Sequence, residues 1–430
     1  YREALIEATG LATPGVIQIE HSGFAEESFE ATKRFLDYYN IPFTSVHMFN
    51  QAITNPLFLT LYCKTYQGDD IDLPLLYDRL LSVANKNIHK AMRTALHNLG
   101  YDPSMDITTP VIMSLAKFIN STGKRQFSKS ELSTLNVWQE NGIKAPPFLQ
   151  HMVRENILHS HIRIDGEVFS FSYDQMNDYY CAKQIMSQCH SKAELYEYMR
   201  NNVLCIQEEK VTAYQNIDLF TYVCALYADM YHEECIDIID NIDDELDREY
   251  VLDAYIASFK WRNSRNTNLA AFLHLCEKCS ADFDLVWDMF VMNSLKKGSC
   301  FNADGLHAVL NKYSLNQRDN KWTTYINGMN CHSEHRLVQV IQMYSEGKGL
   351  AFTDSRQVEL MLTLFGWILT SSNRWLRDTT SKAMVEILKQ NFSMAERILR
   401  KFQAVNDPYV VQRMFGVVWG ACVKNQHTDK

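Results

Sequence analysis

Only 16 glycines and 9 prolines interrupt a chain of 430 residues. These two residue types are the strongest local breakers of regular structure, and a many-stranded sheet needs turn signals about every 8–12 residues. With so few breaks, the long stretches between them read as helices, and the chain is expected to be mainly α. Its 46% hydrophobic and 22% charged content is that of an ordinary globular protein, which excludes disordered, collagenous and disulfide-scaffold classes. At roughly 100–200 residues per domain, this length predicts two to four domains.

A formal charge of -9 gives no general attraction to phosphate backbones or anionic lipid, so no direct nucleic-acid partner and no membrane partner is expected. The 11 cysteines are scattered from Cys63 to Cys422 without a secretory leader in front, which predicts reduced thiols and a cytoplasmic location. No apolar run reaches the roughly 18 residues that a spanning helix requires. The sequence opens on Tyr1 rather than methionine, and we expect a fragment of a longer protein.

Along the chain, Val16 to Ile19 has a short β-like pattern, followed by a helix from about Glu26 to Tyr39 that Pro42 stops. Pro56 opens another helix, in a first turn where its missing N–H costs nothing. Leu76, Leu80, Ala84, Ile88, Ala91 and Ala95 mark a longer one, and Thr109 with Pro110 reads as the cap and first turn of the next. Ser128 and Glu131 have capping-box spacing for a helix over 131–139, and a second helix is expected over 147–156. Then "HIRI" and "EVFSF" flank Asp165-Gly166, a dipeptide favoured in two-residue hairpin turns. Helix, helix, hairpin is the outline of a winged helix. As a DNA reader it is poor, since the second helix offers only His151 and Arg154, opposed by Glu155. From about Ser191 onward, helical pairs of ten to twenty residues follow one another with no fixed period, the pattern of an α-solenoid.

Chemistry-bearing motifs are scarce. "STGKRQ" around Lys124 and "SEGKGL" around Lys348 lack the upstream glycine and the following hydroxyl of a phosphate-binding loop. One Cys-x-x-Cys, Cys276 and Cys279 beside His274, with a distant Cys331, His332 and His335, is a weak zinc pattern; Cys276 and Cys279 read equally as small core residues of an apolar helix.

Four segments together resemble one family. "HSGFAEESFEATKRFLDYYNI" (His21 to Ile41), "ITNPLFLTLYCKTY" (Ile53 to Tyr66), "FSYDQMNDYYCAKQI" (Phe171 to Ile185) and the paired helices "SSNRWLRDTTSKAMVEIL" and "NDPYVVQRMFGVVWGAC" occur in the order found in bacterial STAND (NACHT-type) NTPases, in particular the antiviral Avs proteins related to animal NLR receptors. The resemblance covers about 1–190 and 371–422. It implies a remnant of an α/β nucleotide-binding domain over 1–45, a helical domain over 46–125, a winged helix over 126–190 and a HEAT/TPR-like helical-repeat sensor over 191–430. It implies that Pro56 packs near the base of ATP or ADP, and that Tyr173 stands where many members carry a histidine reaching the β-phosphate; Met176 replaces a family phenylalanine. A tyrosine hydroxyl can hydrogen-bond phosphate but brings no charge. The Walker A and Walker B segments that hold Mg²⁺ and phosphates would lie upstream of Tyr1, with Arg2 just past the sensor arginine, so this chain alone is expected to be inactive as an ATPase. The implied function is the regulatory and sensing part of a nucleotide-gated switch: a foreign phage protein binds the solenoid, and the intact protein self-oligomerises. The alternative is a non-enzymatic α-solenoid scaffold for protein partners.

Overall fold

The structure, a computed structural model, describes residues 24, 28–49, 53, 55–68, 73–93, 104–142, 144–164, 166–235, 237–262, 267–278, 283–329 and 335–426. The β-like segment at Val16 to Ile19 and Arg2 lie outside them. The described residues are predominantly helical, with one small, open, three-stranded sheet. The chain divides into two units, one over 72–262 with the first 22 residues, the other over 23–71 and 263–430. Three helices precede the first unit in the chain and belong to the second: α1 (Ser28–Tyr38), α2 (Ser45–Phe49) and α3 (Pro56–Thr65).

The first unit begins with α4 (Leu73–Ala91) and α5 (Thr108–Thr122). Helix α5 starts one residue before the sequence places it. Asp106 Oδ1 accepts the backbone N–H of Thr108 and Thr109 at 3.1 and 3.0 Å, so Asp106 caps the helix and Thr109 lies inside it. Next come β1 (Phe127–Ser128), α6 (Lys129–Ser133), α7 (Val137–Glu140), α8 (Ala145–Arg154), β2 (Leu158–Arg163) and β3 (Gly166–Phe171). The capping box is present: Ser128 Oγ accepts from Glu131 N–H at 3.2 Å and the Glu131 carboxylate accepts from Ser128 N–H at 2.8 Å. The single helix expected over 131–139 is split in two, because Trp138 folds back and donates its indole N–H to Leu132 O at 2.6 Å.

All three strands pair antiparallel in the order β1-β3-β2. Arg163 pairs with Gly166, so the chain reverses across 164–165, one residue earlier than the Asp165-Gly166 dipeptide had placed it. Gly166, at φ +128°, then takes the backbone conformation that L side chains rarely adopt. Sheet and helices lead into α9 (Asp174–Gln188), the central element of the unit, which packs on α5. The unit closes with α10 (Lys192–Tyr198), α11 (Ile217–Tyr231), α12 (Asp237–Asp240) and α13 (Glu245–Ser258). Helix α11 lies against α9 and carries α13 on its other contacts.

In the second unit, α14 (Leu269–Lys278), α15 (Phe283–Asn293), α16 (Ala303–Leu310), α17 (Leu315–Arg318) and α18 (Thr324–Met329) are followed by five helices that stack. These are α19 (Arg336–Ser345), α20 (Ser355–Ile368), α21 (Arg374–Gln390), α22 (Ala395–Phe402) and α23 (Pro408–Gln426). Helix α21 lies between α19 and α23, while α20 packs on α16, α21 and α22. Every residue from Gln357 to Ile368 is buried, so α20 has no solvent face. The closeness is visible at Gly366, where a Cβ would stand 2.4 Å from the Phe402 ring. The N-terminal helices are tied in by Arg336, which donates to Met48 O at 2.7 Å and lies 4.4 Å over the Phe29 ring. The helix lengths vary and π-turns at Met199–Val203 and Asp319–Thr323 interrupt them, the structural counterpart of the missing sequence period.

Candidate functional site

The polar groups most deeply set in the first unit lie along α9. Read as a sequence, its segment has no hydrophilic face: Met176 through Ala182 are all buried, and the polar members of that run must find partners inside. They do so in two clusters. Asp178 accepts from Arg125 Nη2 at 2.9 Å and from Asn177 Nδ2 at 3.0 Å. Burial nevertheless outweighs the Arg125 charge and pushes the Asp178 carboxyl up to about 6. Asp78, brought by α4, collects Tyr179 Oη and Tyr180 Oη at 3.1 Å each and Lys183 Nζ at 2.8 Å from both oxygens. Burial and the neighbouring Asp78 charge drive both tyrosine hydroxyls upward, so they remain protonated donors. Around them Tyr77 stacks on Trp261 at 5.8 Å, and Tyr222 closes the aromatic box at 4.9 Å from Trp261 and 6.0 Å from Tyr179.

Asp178 sets a pH dependence. Its folded value of about 6 lies above the ordinary 3.8, so the stability it permits is complete below the unfolded value and is lost as pH rises through about 6. Replacing Asp178 by Asn removes this term. The difference in unfolding free energy, wild type minus Asp178→Asn, should fall by about 2 kcal/mol between about pH 4.5 and pH 7 in urea titrations. A flat difference would show that Arg125 fully compensates the burial.

The resemblance-derived residues are placed as follows. Pro56 is the first residue of α3, half-buried, with Asn55 Oδ1 capping the helix through Leu57 N–H at 2.9 Å and Phe58 N–H at 3.3 Å. Tyr173 is the N-cap residue of α9; its side chain makes no capping bond, and its carbonyl accepts Asn177 N–H at 3.1 Å. Burial raises its phenol, leaving a neutral hydroxyl. The cations nearest on α9 and in front of β1, Lys183 and Arg125, are committed to Asp78 and Asp178. The surroundings of Tyr173 therefore do not by themselves form a phosphate cradle. Pro56 and Tyr173 belong to different units of the chain.

Of the zinc pattern, Cys279, Cys331 and His332 lie outside the described residues. His274 is exposed, Cys276 is buried, and His335 is the N-cap of α19, accepting Leu337 N–H at 3.3 Å through Nδ1. Among the described residues no group of three or more His, Cys, Asp or Glu side chains could hold a metal ion, and no helix is long and apolar enough to cross a membrane.

The second unit carries its own charge network. Asp304 is engaged by Arg356 and Lys401, while Glu359 pairs with Arg356 and Arg397 at 2.9 Å each and with Lys401 at 3.4 Å. Burial opposes ionisation of both acids, yet the cations prevail and hold each below the usual carboxylate range. Beside them His307 Nδ1 accepts from Trp367 Nε1 at 3.1 Å, and burial with the Lys401 charge lowers the ring to about 4, so it is neutral. Sequence reasoning passed over both networks. The signal available for the first was an Asp and a Lys inside "DQMNDYYCAKQI", a helix with no face to expose them; the second is assembled from residues up to 97 positions apart.

No protein-family model, no curated protein and no solved structure matches this chain.

Proposed function

We propose that this chain is a non-catalytic α-helical scaffold that binds other proteins through its helical surfaces. The observation that carries the reading is the stacking of α19, α21 and α23 with α20 and α22 packed beside them, an arrangement that presents extended faces rather than a chemically armed cleft. The carboxylates of both networks already serve cations or hydroxyls, which leaves them structural work. Exposed aromatics on the stack, Trp375 and Phe392, are the kind of side chain that anchors protein partners. Affinity recovery from extracts of the native cells, with and without Mg-ATP, tests this. The scaffold reading expects partners recovered regardless of nucleotide and lost when Trp375 and Phe392 are both replaced by Ser. Hydrolysis of ATP by the purified chain, or release of partners on adding ATP, overturns it.

The order of elements supports a second reading, the regulatory and sensing portion of a STAND NTPase in anti-phage defence. Here α6, α8 and the β2–β3 hairpin would be the winged helix, α9 with Tyr173 its last helix, and the stacked helices the sensor for a phage protein, with ADP or ATP and Mg²⁺ held by parts outside these 430 residues. On this reading Pro56→Ala, in a version of the protein that retains those parts, weakens ADP retention without unfolding the chain. Unchanged retention in equilibrium dialysis counts against it.

A further inference from the structure

Helix α23 has two unlike sides. Toward α21 it is spent: Arg413 Nη1 meets Asp378 at 3.0 Å, Lys424 pairs with Glu386, and a Cβ on Gly420 would stand 3.1 Å from Val385. Val410, Met414 and Ala421 are buried. At 3.6 residues per turn, Phe415 lies about 200° round the helix from Arg413. There Val411, Phe415, Trp419 and Val423 form an unbroken ridge at four-residue spacing, with Phe415 58% and Trp419 72% exposed. A ridge of this size on the outer side of the last stacked helix is the position where the α19–α21–α23 series would take its next helix.

We propose that the helix that covers this ridge is the α23 of a second copy, packed antiparallel across a two-fold axis. Three observations select that occupant. The ridge is its own complement: small, large, large, small reads alike in both directions, so with the axis near residue 417 each Phe415 meets the other copy's Trp419 and each Val411 the other copy's Val423. Its four members are uncharged, and the flanking Arg413 and Lys424 are already paired, so two chains of formal charge -9 meet here without like-charge cost, while a strongly charged partner gains nothing. Beside the axis, Gly416 has open space where a side chain would be, leaving room for the opposing ring. Two such four-residue ridges pack at about -50°, a common crossing angle of globular helices. Phe and Trp at the centre of a small interface are the side chains that dominate its energy.

Sedimentation velocity of the chain over a concentration series tests the proposal. A reversible monomer–dimer equilibrium is expected, with Trp419 emission shifting to the blue as the dimer forms. Trp419→Asp and Phe415→Asp, each checked for unchanged helicity, should weaken association at least about thirtyfold, the effect of losing a hot-spot residue. Trp375→Asp, an exposed aromatic away from the ridge, should leave it unchanged. A chain that stays monomeric at every concentration overturns the proposal, as does a dimer that survives both ridge substitutions. Either result leaves the scaffold reading standing, because that reading is decided by partner recovery through Trp375 and Phe392.

Discussion

Arg318→Ala should destabilise the second unit by about 3–5 kcal/mol, the cost of removing one member of a buried polar set. The Arg318 side chain is fully buried. It donates to Leu310 O at 3.2 Å and to Asn406 O at 3.5 Å, lies 3.8 Å from Asp407, and places its guanidinium 5.2 Å over the Trp367 ring. One planar cation thus ties the end of α16, the turn before α23 and the buried helix α20. Truncation leaves two carbonyls without that donor, takes the counter-charge from the Asp407 that caps α23 through Tyr409 and Val410 N–H, and opens a void under Trp367. Arg318→Met fills the void but restores no donor, and should recover less than half of the loss. Urea unfolding followed by tryptophan fluorescence checks both variants. A loss below about 1 kcal/mol for Arg318→Ala would mean that water enters and replaces the guanidinium.

Arg262→Ala is expected to act as strongly on the first unit, through a different imbalance. Arg262 Nη1 meets Glu234 at 2.6 Å, its Nε and Nη2 reach Ser258 Oγ at 3.1 and 2.8 Å, and the guanidinium lies 3.8 Å over the Phe259 ring. Its side chain is 1% exposed, whereas that of Glu234 is 22% exposed. Removing the arginine leaves a half-buried carboxylate whose remaining donor here is Tyr255 Oη. The expected loss is about 3–5 kcal/mol. Adding Glu234→Gln in the same chain should return about 1–2 kcal/mol by deleting the stranded charge. The four-member cycle of single and double variants, measured by denaturant unfolding, separates the pair from the packing on Phe259. Additive losses would show that the ring contact carries the effect.

The elements that could be read from the sequence are those decided by neighbours in the chain. Ser128 and Glu131 form the capping box because three residues of helix bring a hydroxyl and a carboxylate to one turn, whatever the surroundings. Pro56 stands at the first position of α3 for the same local reason. Local signals misplaced what a distant group decides. Thr109 has the right chemistry for a cap, but Asp106 reaches the same N–H groups first, in a segment where Asn85 of α4 donates to Met105 O at 2.9 Å and accepts Ile107 N–H at 3.1 Å. The continuous helix expected over 131–139 is broken by an indole that prefers Leu132 O to solvent.

By itself, the sequence determined that the chain is mainly helical, because scarce Gly and Pro leave few places to turn, and that helix, helix and hairpin precede a buried central helix. Its charge and composition also argued against bulk attraction to nucleic acid. Only the tertiary structure decided which charges meet. Asp78 with Lys183, Asp178 with Arg125, and Asp304 with Lys401 are separated by 105, 53 and 97 positions. Burial gives those carboxylates their unusual proton affinity, and burial belongs to the packed chain: no local pattern states how much water a side chain will lose. The same holds for the ridge on α23. Its spacing is written in the sequence, but that Phe415 and Trp419 face outward while Met414 and Ala421 face the core depends on where α21 and α22 pack.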